Sequence, residues 1–230
     1  MKKEEYLVTG AAGFIGYHLS LLLLKNKKSV IGLDSLSSYY DGNLKKDRLK
    51  LLQKNDKFTE IIGKLEDPLI WEEIGKKYSV KKVYHLAAQA GVRHSIEHPS
   101  DYLSANVQGT FNVLEFCKHN KVQHLLLAST SSVYGNAKEK PLNELIKSNH
   151  QMSFYAATKK ATEVMAHSYS HIYDLPVTAF RFFTVYGPWG RPDMALFKFT
   201  KKMLNGEEIS VYNRGDMERD FTYVDDLCAS

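Results

Sequence analysis

Three glycines at a fixed spacing follow the first apolar segment of this 230-residue chain. Residues 6–8 predict a buried strand, and Gly10, Gly13 and Gly16 open the apolar helix that comes next. Glycines allow a tight turn at this place and let backbone N–H groups approach a pyrophosphate at the positive end of the helix dipole. The spacing therefore predicts a phosphate-binding turn between a strand and a helix of a parallel α/β fold.

An acidic residue indicates which dinucleotide this turn would bind. Asp34 ends the second predicted strand, where a carboxylate can accept hydrogen bonds from the hydroxyls of the adenosine ribose. The same carboxylate would repel a 2′-phosphate, so the cofactor is predicted to be NAD and not NADP.

Short apolar runs alternate with segments of helical periodicity along the rest of the chain. This alternation predicts an α/β protein with a Rossmann-type doubly wound parallel sheet. The predicted strands are residues 6–8, 29–33, 58–62, 83–86, 124–128 and 177–180, and the predicted helices are residues 14–25, 44–54, 69–78, 106–119, 155–173 and 194–204. Turn-forming residues follow the sixth strand. The predicted division is an NAD-binding Rossmann domain, residues 1–183, and a partial substrate-binding lobe, residues 184–230.

Composition argues against several classes of partner. The net charge of +5 is spread among acidic residues, so nucleic acid is not an expected partner. Cys117 and Cys228 lack the spacing of a zinc or redox site, and no metal is expected. The most apolar stretch, residues 19–24, is far shorter than the roughly 20 residues that span a bilayer. With no signal-peptide pattern at the N-terminus, a cytoplasmic location without membrane association is predicted.

A tyrosine and a lysine occupy positions that could perform proton transfer. Tyr155 and Lys159 are four positions apart and project from one face of the same predicted helix. An adjacent ammonium and a positive nicotinamide would both favour the phenolate. Such a pair alone is a common surface arrangement, but Thr130 and further hydroxyls end the fifth predicted strand. A hydroxyl, a phenol and an ammonium around a nicotinamide indicate an oxidoreductase-type site.

Six motifs are spread along the chain: VTGAAGFIG (8–16), HLAAQAGVR (85–93), ASTSSVYG (128–135), SFYAATKK (153–160), RFFTVYGPWGRPDMALFKF (181–199) and RDFTYVDD (219–226). Together they resemble those of the extended short-chain dehydrogenases/reductases that act on sugar nucleotides, the NAD-dependent epimerase/dehydratase family. Within that family the long fifth motif is similar to the UDP-glucuronate 4-epimerase branch and unlike the corresponding loop of UDP-galactose 4-epimerases.

The resemblance implies a role for individual residues. Thr130, Tyr155 and Lys159 match the catalytic residues of the family. The implied substrate contacts are Arg93, Thr184, Arg191 and Arg219. The implied cofactor contacts are Gly10, Gly13, Phe14, Ile15, Gly16, Asp34, Leu65, Ala87, Ala88, Asn106, Tyr155 and Lys159, of which Asn106 matches a structural asparagine.

The resemblance also implies a reaction. Tyr155 takes the proton of the sugar 4-hydroxyl while hydride passes from carbon 4 to NAD; the transient 4-keto sugar then turns over and takes the hydride back on its other face. UDP-glucuronate is the favoured UDP-sugar, because the Arg191 guanidinium can bind a carboxylate bidentately. Helices 106–119 and 155–173 match those that pair in homodimers of the family.

The sequence departs from the family pattern at three places. Lys64 replaces the aspartate of a Gly-Asp-Leu motif that reaches the adenine amino group. Ser35 follows Asp34 where asparagine is common. Family members continue beyond the position of Ser230, so an incomplete substrate lobe is expected.

Two alternatives to an active epimerase remain. One is a catalytically impaired NAD-binding remnant of such an enzyme. The other is a sugar-nucleotide 4,6-dehydratase, which needs an Asp-Glu pair where this chain has Ser131 and Ser132.

Overall fold

The computed structural model describes residues 4–216 and 218–230, and its centre is one parallel six-stranded sheet. The strand order is β3-β2-β1-β4-β5-β6, with β1 between β2 and β4. The Rossmann-type fold predicted from the sequence is confirmed, since the chain reverses its direction across the sheet between β1 and β4. The strands are β1 (Glu4–Thr9), β2 (Ser29–Asp34), β3 (Phe58–Ile62), β4 (Ser79–His85), β5 (His124–Thr130) and β6 (Val177–Phe182).

Helices connect the strands and cover both faces of the sheet. Successive side chains of a strand point to opposite faces. Leu7 accordingly packs in one buried cluster with Val113 on α6 and Ala166 on α7, whereas Val8 packs in a second cluster with Leu23 on α1. The helices up to β6 are α1 (Phe14–Lys25), α2 (Gly42–Leu52), α3 (Pro68–Lys77), the short α4 (His94–Glu97) and α5 (Pro99–Tyr102), α6 (Gly109–His119) and α7 (Phe154–Tyr173).

The helix predicted over residues 106–119 differs from what forms. A π-helical segment, Leu103–Gln108, precedes α6 and contains Asn106. Such wide turns are frequent at functional sites. Here the turn coincides with a buried asparagine whose side chain bonds to the loop after β4, at Gln89.

The segment after β6 forms a second, smaller sheet. β7 (Thr184–Tyr186) pairs in parallel with β8 (Phe221–Tyr223). Helix α8 (Ala195–Leu204) and a 3₁₀ turn (Tyr212–Gly215) lie between these strands, and α9 (Val224–Ala229) follows them. The start of β7 coincides with the predicted boundary at residue 184, although the division into 1–183 and 184–230 stays a prediction and residues 1–3 lie outside the described part. None of the helices described is long and apolar enough to cross a membrane.

Candidate active site

The glycine turn forms directly after β1. Gly10 has a φ of +74°, which favours glycine, and its N–H donates to the Leu33 carbonyl at 2.7 Å. A Cβ on Gly16 would lie 2.1 Å from the Gly10 carbonyl oxygen, so no larger residue fits there. Gly13 precedes α1 and has no side chain with which to cap the helix. The first N–H groups of α1 are therefore available to an anion, and the turn fits a pyrophosphate.

A cavity of about 620 Å³ opens beside this turn, at the carboxyl ends of the strands. This is where ligands bind in doubly wound sheets. The cavity brings together most of the residues singled out in the sequence: Gly10, Gly13, Phe14, Ile15, Gly16, Asp34, Leu65, Ala87, Ala88, Thr130, Tyr155, Lys159, Thr184 and Arg191 all line it, and Lys64 does so as well.

Asp34 is held at the end of β2 by backbone donors. Ala12 N–H donates to its Oδ2 at 3.0 Å and Leu36 N–H to its Oδ1 at 2.8 Å. The Lys45 ammonium lies 3.8 Å from Oδ1 and is itself buried. Both side chains line the cavity, so a cation accompanies the carboxylate predicted to contact the ribose.

Sequence reasoning missed Lys45, although α2 contained a signal. The buried residues of α2 are Lys45, Arg48, Leu49 and Leu52, which follow the spacing of a helix face that packs on a core. Two cations on the inward face of a helix are unusual, because a buried charge must be compensated. The position of Lys45 and Arg48 on the buried face of α2 could have marked them as functional candidates.

The three predicted catalytic residues meet at the ends of β5 and α7. Thr130 ends β5, and Tyr155 and Lys159 lie in the first turns of α7, which is capped by Ser153 accepting from Ala156 N–H at 3.1 Å. The Tyr102 ring packs against the edge of Tyr155, with 6.0 Å between ring centroids. This edge-on contact packs one side of the Tyr155 ring.

Burial dominates the pKa of the tyrosine. Burial raises the pKa of Tyr155, and a hydrogen bond with Thr130 and the charge of Arg191 oppose that shift. Burial also lowers the pKa of Lys159 from 10.5 to about 8, opposed by Glu163 one turn further along α7. Burial thus outweighs the stabilisation of the phenolate that the sequence pattern predicts.

Glu163 anchors a network that sequence reasoning did not detect. Ser129 Oγ donates to its Oε1 at 2.6 Å, and Arg181 on β6 bonds to both of its oxygens at 3.0 Å. Lys160 adds a contact of 3.0 Å to Oε2. These bonds join the end of β5 to α7 and β6, which fixes the backbone on either side of the catalytic residues.

Asn106 does not line the cavity, unlike the other predicted cofactor contacts. Its Oδ1 accepts from Gln89 N–H at 2.7 Å, while its Nδ2 donates to the Gln89 carbonyl at 3.1 Å and to Thr158 Oγ1 at 3.0 Å. The side chain therefore joins the loop after β4 to α7. The structural role implied by the resemblance fits these bonds, and a direct cofactor contact does not.

The four predicted substrate residues divide into two groups. Thr184 and Arg191 line the cavity. Arg191 lies in the loop of residues 187–193, hereafter the Arg191 loop, and pairs with Asp193 in that loop. Arg93 and Arg219 are exposed and lie outside the cavity lining, with Arg219 donating to the Glu218 carbonyl at 2.6 Å. The substrate contacts of all four residues stay predictions.

Comparisons with known proteins agree with this arrangement. A model of the NAD dependent epimerase/dehydratase family matches residues 6–230. The probable UDP-glucuronate 4-epimerase of Rhizobium meliloti is 49% identical over 226 residues, which cover 98% of this chain and 66% of that protein. Protein CapI of Staphylococcus aureus is 53% identical over 226 residues, covering 97% of this chain and 66% of that protein. The chain thus spans 66% of the length of these two curated relatives.

Solved structures show the same similarity in three dimensions. UDP-glucuronic acid 4-epimerase from Bacillus cereus, crystallised with UDP-glucuronic acid and NAD, superposes with a TM-score of 0.91 at 37% sequence identity. The match covers 97% of this chain and 70% of that one.

Proposed function

The chain belongs to the NAD-dependent epimerase/dehydratase family, and we propose that it inverts carbon 4 of a UDP-sugar, with UDP-glucuronate as its preferred substrate. One observation supports this proposal above the others. Thr130, Tyr155, Lys159 and Arg191 line the same cavity as the glycine turn and Asp34. The residues that would bind a dinucleotide and those that would transfer a proton therefore face one cavity.

The residues that would hold NAD fit that cofactor. The N-terminus of α1 and the glycine turn would bind the pyrophosphate, and Asp34 would accept hydrogen bonds from the adenosine ribose. Bound NAD supplies the group that accepts a hydride from carbon 4 of the sugar and later returns it. Lys159, which is 3% exposed, would orient the nicotinamide ribose and keep a positive charge beside the reacting atoms.

Tyr155 would move the proton. Its phenol would accept the proton of the sugar 4-hydroxyl as the 4-keto sugar forms and donate it back after the sugar has turned over. Burial raises the pKa of Tyr155 although the hydrogen bond with Thr130 and the charge of Arg191 oppose the shift, and the positive nicotinamide of bound NAD would add a further charge that favours the phenolate. Thr130 would also hold the 4-oxygen in line with the phenol.

The preference for an acidic sugar rests on Arg191 and Thr184. Both line the cavity, the charge of Arg191 acts on Tyr155, and a guanidinium together with a hydroxyl is suited to a carboxylate. Dehydration is disfavoured because Ser131 and Ser132 stand where the acid/base pair of a 4,6-dehydratase is required. A homodimer and a cytoplasmic location stay predictions.

The experiment is a product analysis. The purified protein with added NAD is incubated separately with UDP-glucuronate, UDP-glucose and UDP-N-acetylglucosamine, and the sugars are separated and identified by NMR. We expect UDP-galacturonate from the first and much slower conversion of the neutral sugars. Binding of NAD with no conversion of any of the three would contradict the proposal and favour the impaired remnant, and a 4-keto-6-deoxy product would favour the dehydratase.

A further inference from the structure

Arg48 is a fully buried charge that the proposed reaction does not use. It lies on α2 with 0% exposure. Within the part of the chain that the structure describes, its guanidinium forms no salt bridge and bonds to neutral oxygens instead. Burying a charge in this way is costly, so a buried arginine without a carboxylate needs an explanation beyond stability.

The oxygens that Arg48 binds belong to separate parts of the site. Nη1 donates to the Ala12 carbonyl of the glycine turn and to Tyr40 OH, both at 2.9 Å. Nη2 donates to the Trp189 carbonyl of the Arg191 loop at 2.5 Å. One rigid, planar group thus joins the turn that would bind the pyrophosphate to the loop that carries Arg191.

The Arg191 loop depends on such contacts for its conformation. Trp189 has a φ of +58°, a left-handed conformation that is unfavourable for a non-glycine residue. Its ring packs on Tyr17, and His18 Nε2 contacts the Pro188 carbonyl at 2.9 Å. Strained residues persist only where their surroundings hold them, and here the surroundings are α1 and α2.

We propose that Arg48 is a positioning residue that couples the glycine turn to the Arg191 loop, so that a bound dinucleotide and a correctly placed Arg191 stabilise each other. A dinucleotide that fixes the turn fixes the Ala12 carbonyl, and through the guanidinium it fixes Trp189, two residues before Arg191. This inference rests on the proposed function for the role of Arg191, whereas the link between turn and loop can be measured without turnover.

Trp189 offers a direct measurement. It is 39% exposed, while the other tryptophan of the chain, Trp71, is 6% exposed, so iodide in solution quenches mainly Trp189. We expect NAD to lower the quenching constant in the wild type. In Arg48→Met the iodide quenching constant should rise at least about twofold, and NAD should no longer change it. Coupling between two sites is typically worth 5-fold or more, so its loss is large enough to detect.

Arg48→Lys keeps the charge and provides a second test if Arg48→Met does not fold. The lysine side chain has a single nitrogen, so it cannot bond to the Ala12 and Trp189 carbonyls through two separate nitrogens as the guanidinium does. We therefore expect a folded variant in which the NAD response of Trp189 is lost and the KM for UDP-glucuronate rises about 10-fold, with kcat changed less than about 3-fold.

Two control variants separate coupling from simple loosening of the loop. His18→Ala removes the Pro188 contact and should raise quenching while the response to NAD remains. Tyr40→Phe removes one acceptor of Arg48 but leaves both backbone links, so it should behave as the wild type. A folded Arg48→Met or Arg48→Lys protein with a wild-type NAD response would overturn the proposal. Failure to convert any sugar, with the NAD response intact, would contradict only the proposed function.

Discussion

Asp193 holds Arg191 by both of its carboxylate oxygens, with Oδ1 3.0 Å from Nε and Oδ2 2.5 Å from Nη2. The fork of the guanidinium that would bind a sugar carboxylate thus already binds a carboxylate of the chain. Tyr39 OH donates to the same Oδ2 at 3.4 Å, so the pair is held beside the cavity. A uronic acid that binds Arg191 must share the guanidinium with Asp193 or displace it, which makes the selectivity of this site directly testable.

Arg191→Ala should weaken binding of UDP-glucuronate selectively. Hydrogen bonds to a charged group are worth about 1.5–3 kcal/mol, which corresponds to an increase of roughly 10- to 100-fold in its KM. The KM for UDP-glucose should change much less. Lys198→Ala, which removes an exposed cation outside the cavity lining, is the control. An equal loss for both sugars would assign Arg191 to the diphosphate instead.

Asp34 and Lys45 should set the cofactor preference in opposite directions. The wild type should bind NAD at least about tenfold more tightly than NADP, since a phosphate beside the Asp34 carboxylate costs about 1.4 kcal/mol or more. Asp34→Asn should reduce that ratio, because the Lys45 ammonium remains beside the ribose. Lys45→Met should increase it. Calorimetry of the wild type and both variants gives the dissociation constants of NAD and NADP. If the NAD-to-NADP preference changed in the same direction in Asp34→Asn and Lys45→Met, the opposite roles of these two residues would be contradicted.

Lys64→Asp should tighten NAD binding by a few-fold. Lys64 is exposed and lines the cavity after β3, where an aspartate could accept a hydrogen bond worth about 1 kcal/mol from the adenine amino group. Lys64→Met removes the charge without adding an acceptor, so it separates the effect of losing the ammonium from the effect of gaining a hydrogen bond to adenine. Weaker NAD binding by Lys64→Asp would mean that the lysine itself contacts the cofactor.

Tyr155→Phe should lower turnover about 100-fold or more, the scale of a positioned acid/base group, and leave the fold intact. Tyr102→Phe removes a neighbouring phenol hydroxyl that donates to the Ala90 and Gly91 carbonyls. Its turnover should therefore stay within about tenfold of the wild type, below the usual contribution of an acid/base group. Circular dichroism and single-turnover rates check both variants, and near-normal turnover of Tyr155→Phe would place the proton transfer at another group.

Lys159 should make the stability of the fold depend on pH in the alkaline range. Its pKa is lowered from 10.5 to about 8, so between these values the unfolded chain binds more protons than the folded one. The free energy of unfolding should therefore rise with pH through this window, and this contribution is lost as the pH falls through about 8.

Lys159→Met removes the buried charge. At pH 7 its free energy of unfolding should exceed that of the wild type by about 1–3 kcal/mol, even though activity is lost. Urea titrations at pH 7 and at pH 9.5 measure the difference, with the exposed Lys198→Met as control. A variant that is less stable at pH 7 would show that Glu163 compensates the lysine fully.

The sequence predicted the sheet well because its strands are short apolar runs bounded by polar turns. All six were located within a few residues, and the glycine turn fixed their relation to α1. Helices α4 and α5 and the π-helical segment before α6 were not predicted. Each has six residues or fewer, too short to develop a periodic pattern.

The sequence motifs also predicted which of their residues would share one site, whereas a contact with a residue outside the motifs was not predicted. Thr130, Tyr155 and Lys159 line one cavity as expected. The contact between Arg48 and Trp189 joins positions 141 apart and has no local pattern. Arg93 and Arg219 belong to specific motifs, but a motif does not determine whether a side chain turns inward, and both lie outside the cavity lining.

The buried face of α2, which carries two cations among its leucines, has a consequence for laboratory evolution. Lys45 and Arg48 occupy positions where leucine would pack, as Leu49 and Leu52 do beside them. Lys45 lies beside the buried Asp34 carboxylate, which an apolar replacement would leave uncompensated, whereas Arg48 bonds only to neutral oxygens and its apolar replacement can be neutral or stabilising. A screen for heat resistance alone would therefore accumulate such a replacement at Arg48 and return stable proteins in which the Arg191 loop no longer responds to the cofactor, whereas a screen that also demands turnover at low substrate concentration would retain this arginine.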